Sequence, residues 1–208
     1  MSKIKTVGIV GTGVIGTGWI IRNLAHNKIV HAYDQNNNLK SYVLKEIRRT
    51  SKSIKKLFGK KILIKNLKFF NSLEKALINV DFVQESVLEN YKVKTDLIQK
   101  ISKYVKSNVI ISSSSSGLLP SKIFSKSKNP QRGIIGHPFN PAYLLPAVEI
   151  VPGKKTTKKF LLAANKYYKS ISMKPIMLKK ELPGYLSDRL QEALWREGLH
   201  IINENYAT

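Results

Sequence analysis

The sequence predicts an α/β fold in which a mostly parallel β-sheet is covered by helices on both faces. Short β-branched segments alternate along the chain with segments of helical periodicity, and a glycine-rich turn follows the first of them. Such alternation requires right-handed crossovers, which place helices on both faces of a parallel sheet. The 208 residues, of which 42% are hydrophobic, correspond to one large folded domain or to one domain plus part of a second.

Eight short apolar segments are the predicted strands: Thr6–Val10, Ile29–Tyr33, Leu67–Phe70, Phe82–Gln84, Val109–Ser112, Ile134–Gly136, Val148–Val151 and Ile176–Leu178. Five intervening segments have helical periodicity: Val14–Asn27, Asn38–Phe58, Leu73–Ile78, Tyr91–Val105 and Thr156–Ser170. Because most of the strands are separated by a helix, we expect most neighbouring strands to run parallel.

The last part of the chain has a different pattern. Residues 185–204 have no strand-like segment but carry apolar residues on one broad helical face, namely Leu186, Leu190, Ala193, Leu194, Leu199, Ile201 and Ile202. Pro183-Gly184 precedes this predicted helix, so we place a domain boundary near Leu182–Gly184. Residues 1–182 are expected to form the sheet domain, and residues 183–208 to begin an all-helical C-terminal domain. One helix cannot bury its own apolar face, so it needs a partner.

The first predicted strand runs into a turn with the pattern G-x-G-x-x-G, formed by Gly11, Thr12, Gly13, Val14, Ile15 and Gly16. In a Rossmann-type domain the first glycine permits the tight turn, the second admits the pyrophosphate, and the third lets the helix pack on the strand. The N–H groups that open the helix then point at the phosphates. The pattern alone is a weak signal, but here it lies between a predicted strand and a predicted helix, as a dinucleotide site requires.

Asp34 lies 18 residues after Gly16, at the end of the second predicted strand. A carboxylate there accepts hydrogen bonds from the adenosine ribose hydroxyls and repels a 2′-phosphate. The sequence therefore predicts that the cofactor is NAD rather than NADP. The alternative is a structural glycine turn with an unrelated aspartate.

A second group of polar residues follows the sixth predicted strand. His137 closes Ile134–Gly136 at the edge where open α/β sheets bind ligands. Glu149 lies 12 residues later on another apolar strand, where an unpaired carboxylate is costly. A His137–Glu149 pair would resolve that cost and leave the second ring nitrogen as a general base. The alternative, a structural histidine, is our interpretation of the remaining histidines, His26, His31 and His200.

The serine run Ser112–Ser116 ends another strand at the same edge. It could supply hydroxyl groups to a substrate oxygen, and an ordinary polar loop is an equally good interpretation.

Composition excludes several classes of protein. There is no cysteine, so disulfides and thiolate metal sites are excluded, and we expect no metal. The N-terminal residues 1–5 are charged too early for a signal peptide, and no segment has the roughly 18–20 apolar residues that span a bilayer. We therefore expect a cytoplasmic protein without a membrane partner.

The formal net charge is +23, from 36 Lys and Arg against 13 Asp and Glu. Such an excess invites a nucleic-acid interpretation. However, only six of the 36 cations are arginine and the lysines are spread along the chain, so we expect no nucleic-acid partner. Attraction of anionic cofactors and substrates is the more modest consequence.

Taken in order, the motifs resemble those of the 3-hydroxyacyl-CoA dehydrogenase family. They are the fingerprint at 11–16, Val83-Gln84-Glu85-Ser86-Val87-Leu88-Glu89, the serine run with Gly117, and Gly136-His137-Pro138-Phe139-Asn140-Pro141. Within the family the sequence most resembles the L-carnitine dehydrogenase branch. Four segments carry this resemblance: Phe82-Val83-Gln84-Glu85-Ser86-Val87, Ser116-Gly117-Leu118-Leu119-Pro120-Ser121, Tyr143-Leu144-Leu145-Pro146 and Asp188-Arg189-Leu190-Gln191-Glu192-Ala193-Leu194-Trp195-Arg196-Glu197. The resemblance covers essentially the whole chain.

The resemblance implies an NAD-dependent oxidation of a 3-hydroxy acid. It assigns His137 as the base for the 3-hydroxyl, Glu149 as its carboxylate partner and Ser116 as a hydrogen-bond partner of the reacting oxygen. It assigns Glu89 and Lys94 to the nicotinamide-side ribose, and Asn140 to the positioning of nicotinamide and substrate. Hydride chemistry belongs to the cofactor, while the protein supplies position and proton transfer.

Two departures from the family pattern bear on substrate and size. Asp188 stands where the acyl-CoA branch has an asparagine, and an added anion there suits a trimethylammonium group better than an anionic acyl-CoA. Phe139, Tyr143 and Trp195 could offer π faces to that cation or could simply be core aromatics. Family members continue through a helical dimerisation domain of about a hundred residues, so we expect a natural short form or a fragment, which forms a homodimer through the C-terminal helix if that domain is supplied.

Three functional hypotheses remain open at this point. The first is NAD-dependent oxidation of L-carnitine to 3-dehydrocarnitine, with 3-hydroxyacyl-CoA such as 3-hydroxybutyryl-CoA as the alternative substrate. The second is a non-catalytic NAD-binding protein. The third is nucleic-acid binding driven by charge.

Overall fold

A computed structural model describes residues 4–59 and 61–208. The expectation of no signal peptide depends partly on Met1-Ser2-Lys3, which lie outside the described residues. The described residues form one eight-stranded sheet. Its strands are β1 (Thr6–Val10), β2 (Ile29–Tyr33), β3 (Leu67–Phe70), β4 (Phe82–Glu85), β5 (Ile110–Ser113), β6 (Gly133–Pro138), β7 (Ala147–Pro152) and β8 (Lys174–Met177). The predicted α/β class is confirmed.

The strand order in the sheet is β3-β2-β1-β4-β5-β6-β7-β8. Within this sheet every neighbouring pair is parallel except β6 and β7, which are antiparallel. The chain reverses its strand order between β1 and β4, and open sheets bind ligands at the carboxyl edge beside such a switch point. The carboxyl ends of β1, β2, β4, β5 and β6 therefore meet at one edge of the sheet, the ligand edge.

The helices are α1 (Val14–Ala25), α2 (Leu39–Phe58), α3 (Leu73–Leu77), α4 (Tyr91–Tyr104), α5 (Pro120–Ile123), α6 (Lys158–Ser170) and α7 (Ser187–Asn203). Short 3-10 turns occupy Ile64–Asn66 and Pro130–Arg132. No helix in the described part of the chain is both long and apolar enough to cross a bilayer.

The core is divided between the two faces of the sheet. Phe82 belongs to a cluster that includes Trp19 of α1 and Tyr168 of α6, whereas the next residue, Val83, belongs to a cluster that includes Ile98 of α4. Because successive strand residues point to opposite faces, these clusters lie on opposite sides of the sheet. Helices on both faces, as predicted, follow from this alternation of apolar residues.

The first three strands have the predicted bounds, every other predicted element begins and ends within two residues of the prediction, and the differences have local causes. The fourth, sixth and seventh strands are longer than predicted, and α5 was not predicted because four residues show no helical period. The last strand is Lys174–Met177 rather than Ile176–Leu178. It lies at the sheet edge and is mostly exposed, so burial imposes little pattern on its sequence.

The C-terminal helix α7 begins at Ser187, two residues later than predicted, because Tyr185 has a positive φ of 45°. None of its residues is buried, and its apolar side chains are exposed: Leu190 is 67% accessible, Leu194 76% and Trp195 65%. Tyr185, by contrast, is fully buried in the first domain. The helix is thus attached mainly at its start, and the division into residues 1–182 and 183–208 stays a prediction.

Candidate active site

The glycine turn between β1 and α1 is sterically specified at two positions. Gly11 has a φ of +89°, and a Cβ there would lie 2.6 Å from the carbonyl oxygen of Ser86. A Cβ on Gly16 would lie 1.8 Å from the carbonyl oxygen of Gly11. Neither position accepts a side chain without displacing backbone, so these glycines allow the turn and the close approach of α1 to β1.

The start of α1 is open toward the ligand edge. Gly13 is its N-cap residue and supplies no side-chain cap, and a Cβ on Gly13 would meet nothing within 4 Å. Val14, the first helical residue, is 58% exposed. The first N–H groups of a helix have no intrahelical partner, and the helix dipole favours an anion there. This arrangement fits a pyrophosphate group, because no described protein atom lies close to Gly13 where a side chain would project.

Asp34 extends the site toward the end of β2. Its Oδ2 accepts hydrogen bonds from the backbone N–H of Thr12 at 2.6 Å and from the Thr12 hydroxyl at 3.3 Å. Its Oδ1 accepts the N–H of Asn36 at 2.9 Å. The carboxylate borders a small cavity lined also by Lys40, Phe69 and Phe70. An acceptor held beside a cavity near the glycine turn is what an adenosine ribose requires, so the residues present fit a dinucleotide.

His137 and Glu149 are directly opposed across the antiparallel β6–β7 pair. The Nδ1 of His137 and the Oε2 of Glu149 are 2.8 Å apart, so the hydrogen bond predicted from the sequence is present. The carboxylate is fully buried. Burial opposes its ionisation, but hydrogen bonds from His137, Ser187 and Leu186 outweigh burial and hold the pKa of Glu149 below its usual value.

The second nitrogen of the His137 ring, Nε2, has no protein hydrogen-bond partner among the described residues. The ring lies beside two aromatic residues, with centroids 5.6 Å from Phe139 and 5.8 Å from Tyr185. His137 is 9% accessible. A carboxylate on Nδ1 selects the tautomer that leaves the lone pair on Nε2, which can then accept a proton from a ligand.

Glu89 and the serine loop form a second polar group at the same edge. The Oε1 of Glu89 accepts hydrogen bonds from the Ser115 hydroxyl and from the backbone N–H of Ser116, the latter at 3.0 Å. Burial raises the pKa of Glu89, but these bonds and the nearby ammonium of Lys94 outweigh burial and bring it below the usual value. The Ser116 hydroxyl has no protein partner among the described residues, so it remains available to a ligand.

Lys94 lies beneath this group rather than facing the cleft. It is 1% accessible, and its Nζ contacts Glu85 Oε1 at 2.8 Å, the carbonyl oxygen of Val87 at 3.0 Å and Glu89 Oε2 at 3.4 Å. Glu85, which is also fully buried, accepts a further bond from the Ser113 hydroxyl at 2.5 Å. Lys94 and Glu85 therefore hold the ends of β4 and β5 together under Glu89.

Asp188 lies on the first turn of α7 near the His137–Glu149 pair. Burial raises its pKa; the charge of His137 opposes this shift, whereas Glu149 and Glu89 add to it. Asn140 is exposed at the same edge.

The three aromatic residues that were considered for binding a cation do not lie close together. Phe139 contacts His137, the Tyr143 hydroxyl lies 3.4 Å from Arg49, and Trp195 is exposed on α7.

The other histidines have structural surroundings. His26 contacts the carbonyl oxygen of Arg22 at 2.8 Å and the Ser172 hydroxyl at 2.7 Å. His31 contacts the carbonyl oxygen of Ala76 at 3.1 Å, and burial lowers its pKa. Among the residues that the structure describes, no group of three or more His, Asp and Glu side chains is placed to hold a metal ion.

Sequence reasoning missed two contributors to this edge, Ser187 and Glu85. Ser187 donates its hydroxyl to Glu149 Oε2 at 2.6 Å, and nothing in the sequence signals that contact. Glu85, like Glu149, is a carboxylate on an apolar strand, and it could have been found by the same argument. The catalytic and binding roles assigned to the individual residues stay predictions.

The sheet order and the glycine turn define a dinucleotide-binding domain of the dehydrogenase class. Residues 6–182 match the family described as 3-hydroxyacyl-CoA dehydrogenase, NAD binding domain. The chain belongs to the 3-hydroxyacyl-CoA dehydrogenase family, its cofactor is NAD, and it is classed with the NAD-dependent oxidoreductases of CH–OH groups.

Comparison with individual relatives and with solved structures shows which members of the family this chain resembles. The chain is 43% identical to an L-carnitine dehydrogenase of Oceanobacillus iheyensis over 99% of its own length and 67% of the relative, and 42% identical to that of Pseudomonas syringae over 100% and 66%. The crystal structure of a (S)-3-hydroxybutyryl-CoA dehydrogenase from Ralstonia eutropha superposes with a TM-score of 0.88 at 26% identity, over 99% of this chain and 74% of that one. The chain thus spans about two thirds of the length of these L-carnitine dehydrogenases.

Proposed function

We propose that this chain oxidises a 3-hydroxy acid with NAD, and that the substrate is L-carnitine, which becomes 3-dehydrocarnitine. The observation that carries the reaction type is the 2.8 Å hydrogen bond between His137 Nδ1 and the buried Glu149, which leaves Nε2 free at the ligand edge. Identities of 43% and 42% to two L-carnitine dehydrogenases support the substrate.

In this proposal His137 accepts the proton of the 3-hydroxyl group at Nε2. Glu149 receives the Nδ1–H hydrogen bond and stabilises the imidazolium that forms. When bound, NAD supplies the hydride acceptor for the C3 carbon. Ser116, whose hydroxyl has no protein partner among the described residues, hydrogen-bonds to the reacting oxygen, and the exposed Asn140 positions substrate and nicotinamide.

The nicotinamide-side ribose is assigned to Glu89, with Lys94 acting from below. The Glu89 side chain is 38% exposed and can accept a hydrogen bond from a ribose hydroxyl. Lys94 is buried, and its ammonium group already contacts Glu85, the carbonyl oxygen of Val87 and Glu89. Asp34 takes the adenosine ribose, and the N–H groups at the start of α1 take the pyrophosphate.

The choice of L-carnitine depends on charge. Its trimethylammonium group is a cation, and Asp188 together with Glu89 and Glu149 makes the neighbourhood of His137 anionic. The acyl part of an acyl-CoA has no cationic group that could pair with Asp188. Phe139, beside the histidine ring, is the aromatic residue best placed to contact the cation.

Two further parts of the proposal concern partners and location. The exposed apolar side chains of α7, among them Leu190, Leu194 and Trp195, support a homodimer formed through this helix when a helical domain is supplied. No nucleic-acid partner is proposed. The cytoplasmic location expected from the sequence stays a prediction.

Initial rates test the substrate assignment. The purified chain is assayed with L-carnitine and with (S)-3-hydroxybutyryl-CoA as substrates, and with NAD or NADP as the cofactor. Each assay is run with the chain alone and with a helical domain from an L-carnitine dehydrogenase added in trans. Calorimetry measures NAD binding separately. We expect NAD-dependent oxidation of L-carnitine at the higher kcat/KM. A higher kcat/KM for the acyl-CoA would support the alternative substrate. NAD binding without oxidation of either alcohol in any arm would support a non-catalytic NAD-binding protein, and salt-sensitive DNA retention unaffected by NAD would support nucleic-acid binding.

A further inference from the structure

The carboxylate of Glu149 is shared between His137 and the start of α7. Its Oε2 accepts hydrogen bonds from His137 Nδ1 at 2.8 Å and from the Ser187 hydroxyl at 2.6 Å. Its Oε1 accepts the backbone N–H groups of Leu186 and Ser187 at 2.9 and 3.0 Å. Three of the four donors on this buried carboxylate therefore come from residues 186–187.

We propose that Ser187 is a positioning residue: its hydroxyl holds Oε2 of Glu149 and withdraws part of the carboxylate charge from His137. The inference deepens the proposed function and rests on it for the role of His137 as the base. An oxygen that accepts two hydrogen bonds stabilises each donor less than an oxygen that accepts one. The imidazolium of His137 is then stabilised less by Glu149, and loss of the Ser187 hydroxyl should stabilise it more.

The other ionisable groups around His137 do not replace this contact. The Tyr185 hydroxyl donates to the carbonyl oxygen of Leu118 at 2.6 Å, and burial raises its pKa, so it stays neutral. Asp188 of α7 and Glu89 of the loop after β4 contribute negative charge near the pair. Within the described part of the chain, Ser187 is the one side chain besides His137 that hydrogen-bonds to Glu149.

The variant Ser187→Ala removes the hydroxyl and keeps both backbone N–H donors on Oε1. The pKa of His137 is measured by NMR titration of the imidazole resonances in the folded chain, without cofactor or substrate. The protein has four histidines, and the variant His137→Gln assigns the resonance. We expect the pKa of His137 to rise by roughly half a unit to one unit in Ser187→Ala. The acid limb of kcat/KM, where turnover is measurable, should move upward by the same amount.

Two variants serve as controls. Ser187→Thr keeps a hydroxyl and is expected to keep the wild-type pKa of His137. Ser170→Ala removes a hydroxyl that donates to the carbonyl oxygen of Tyr167 at 2.7 Å, at the end of α6, and should leave that pKa unchanged. Ser187→Cys, with a weaker donor of similar size, is expected to give an intermediate value and provides a second reading if the alanine variant does not fold.

The outcomes separate a positioning role from a merely structural one. If the only role of Ser187 is to attach α7 to the sheet, removal of its hydroxyl lowers the melting temperature and leaves the pKa of His137 unchanged. The pKa of His137 could also fall in that case, because water would reach Glu149. Either result overturns the inference, as does a threonine variant that shifts like the alanine one. Because the titration needs no turnover, a failure of the proposed oxidation leaves this test intact.

Discussion

Asp34 and Thr12 tie together the ends of β2 and β1, since the Asp34 carboxylate accepts the Thr12 N–H at 2.6 Å although 22 residues separate them. The same carboxylate borders the cavity beside the glycine turn. A ribose hydroxyl that enters this cavity therefore meets an acceptor whose orientation is already fixed by backbone donors.

The variant Asp34→Ala is expected to weaken NAD binding and to relax discrimination against NADP. Hydrogen bonds to a charged acceptor contribute about 1.5–3 kcal/mol, so NAD affinity should fall roughly 10- to 100-fold. Calorimetric titration with both cofactors checks this. Asp81→Ala is the matched control, because Asp81 accepts the N–H groups of Lys5 and Thr6 at 2.8 and 2.9 Å at the opposite edge. Unaltered cofactor preference in Asp34→Ala would count against the ribose assignment.

Replacement of His137 by Gln should abolish proton transfer while leaving the nucleotide site intact. We expect kcat to fall by about 10²- to 10⁴-fold. The dissociation constant for NAD should stay nearly unchanged, since His137 lies on β6 and the fingerprint lies in the turn after β1 and at the start of α1. His200→Gln, on the exposed face of α7, is the control for the loss of a histidine. A large loss of NAD affinity in His137→Gln would contradict the assignment.

The third and the middle fingerprint glycines should respond differently to alanine. Gly16→Ala places a Cβ 1.8 Å from the Gly11 carbonyl oxygen. The free energy of unfolding should therefore fall by at least the roughly 1–3 kcal/mol typical of an overpacked core, and NAD binding should be lost. Gly13→Ala meets no protein atom within 4 Å, so it should fold normally and lose affinity only through contact with the cofactor. Thermal melting and NAD titration separate these effects. Normal NAD affinity in Gly13→Ala would place the pyrophosphate elsewhere.

Stability in acid should depend on Glu149. Burial alone would raise its pKa, but hydrogen bonds from His137 and Ser187 outweigh burial, so the pKa in the folded protein is lowered. The resulting stabilisation is fully present above the unfolded-state pKa of about 4.3 and is lost as the pH falls through the lower folded-state pKa. Urea denaturation of wild type and Glu149→Gln from pH 3 to 7 should show a stability difference that shrinks below about pH 4.5. A difference that does not vary with pH would exclude an ionised Glu149.

Asp188→Asn tests recognition of the cation. Loss of a partly buried charge partner should raise KM for L-carnitine about tenfold, with little change in kcat. Glu192→Gln, an exposed α7 residue, is the charge-matched control. If KM for L-carnitine stays at the wild-type value in Asp188→Asn, the trimethylammonium group is bound elsewhere.

The fold was predictable where burial imposes a pattern on the chain. Central strands such as β4, buried at all four positions, give short apolar runs that are hard to mistake. The edge strand β8 is mostly exposed and its bounds were displaced. Four-residue α5 has too few positions to show a period.

The site was predictable to the extent that local spacing or an unusual residue type signals it. The contact between His137 and Glu149 followed from the cost of burying a carboxylate, which requires a partner. The contact of Ser187 with the same carboxylate depends on the positive φ of Tyr185, which turns the chain just before α7. A positive φ is commonest at glycine, asparagine and aspartate, so nothing in the sequence signals it at a tyrosine.

Because Glu149 is hydrogen-bonded to residues 186–187, proteolysis just before α7 should affect the surroundings of His137 but not the glycine turn. A protease that cuts the chain beside the exposed Pro183 would leave α1 and its glycine turn untouched, while the carboxylate behind His137 would lose up to three of its four hydrogen bonds once the C-terminal piece diffuses away. Nicked protein should therefore still be retained on a nucleotide affinity resin after Glu149 has lost the hydrogen bonds from residues 186–187, with His137 as its remaining partner.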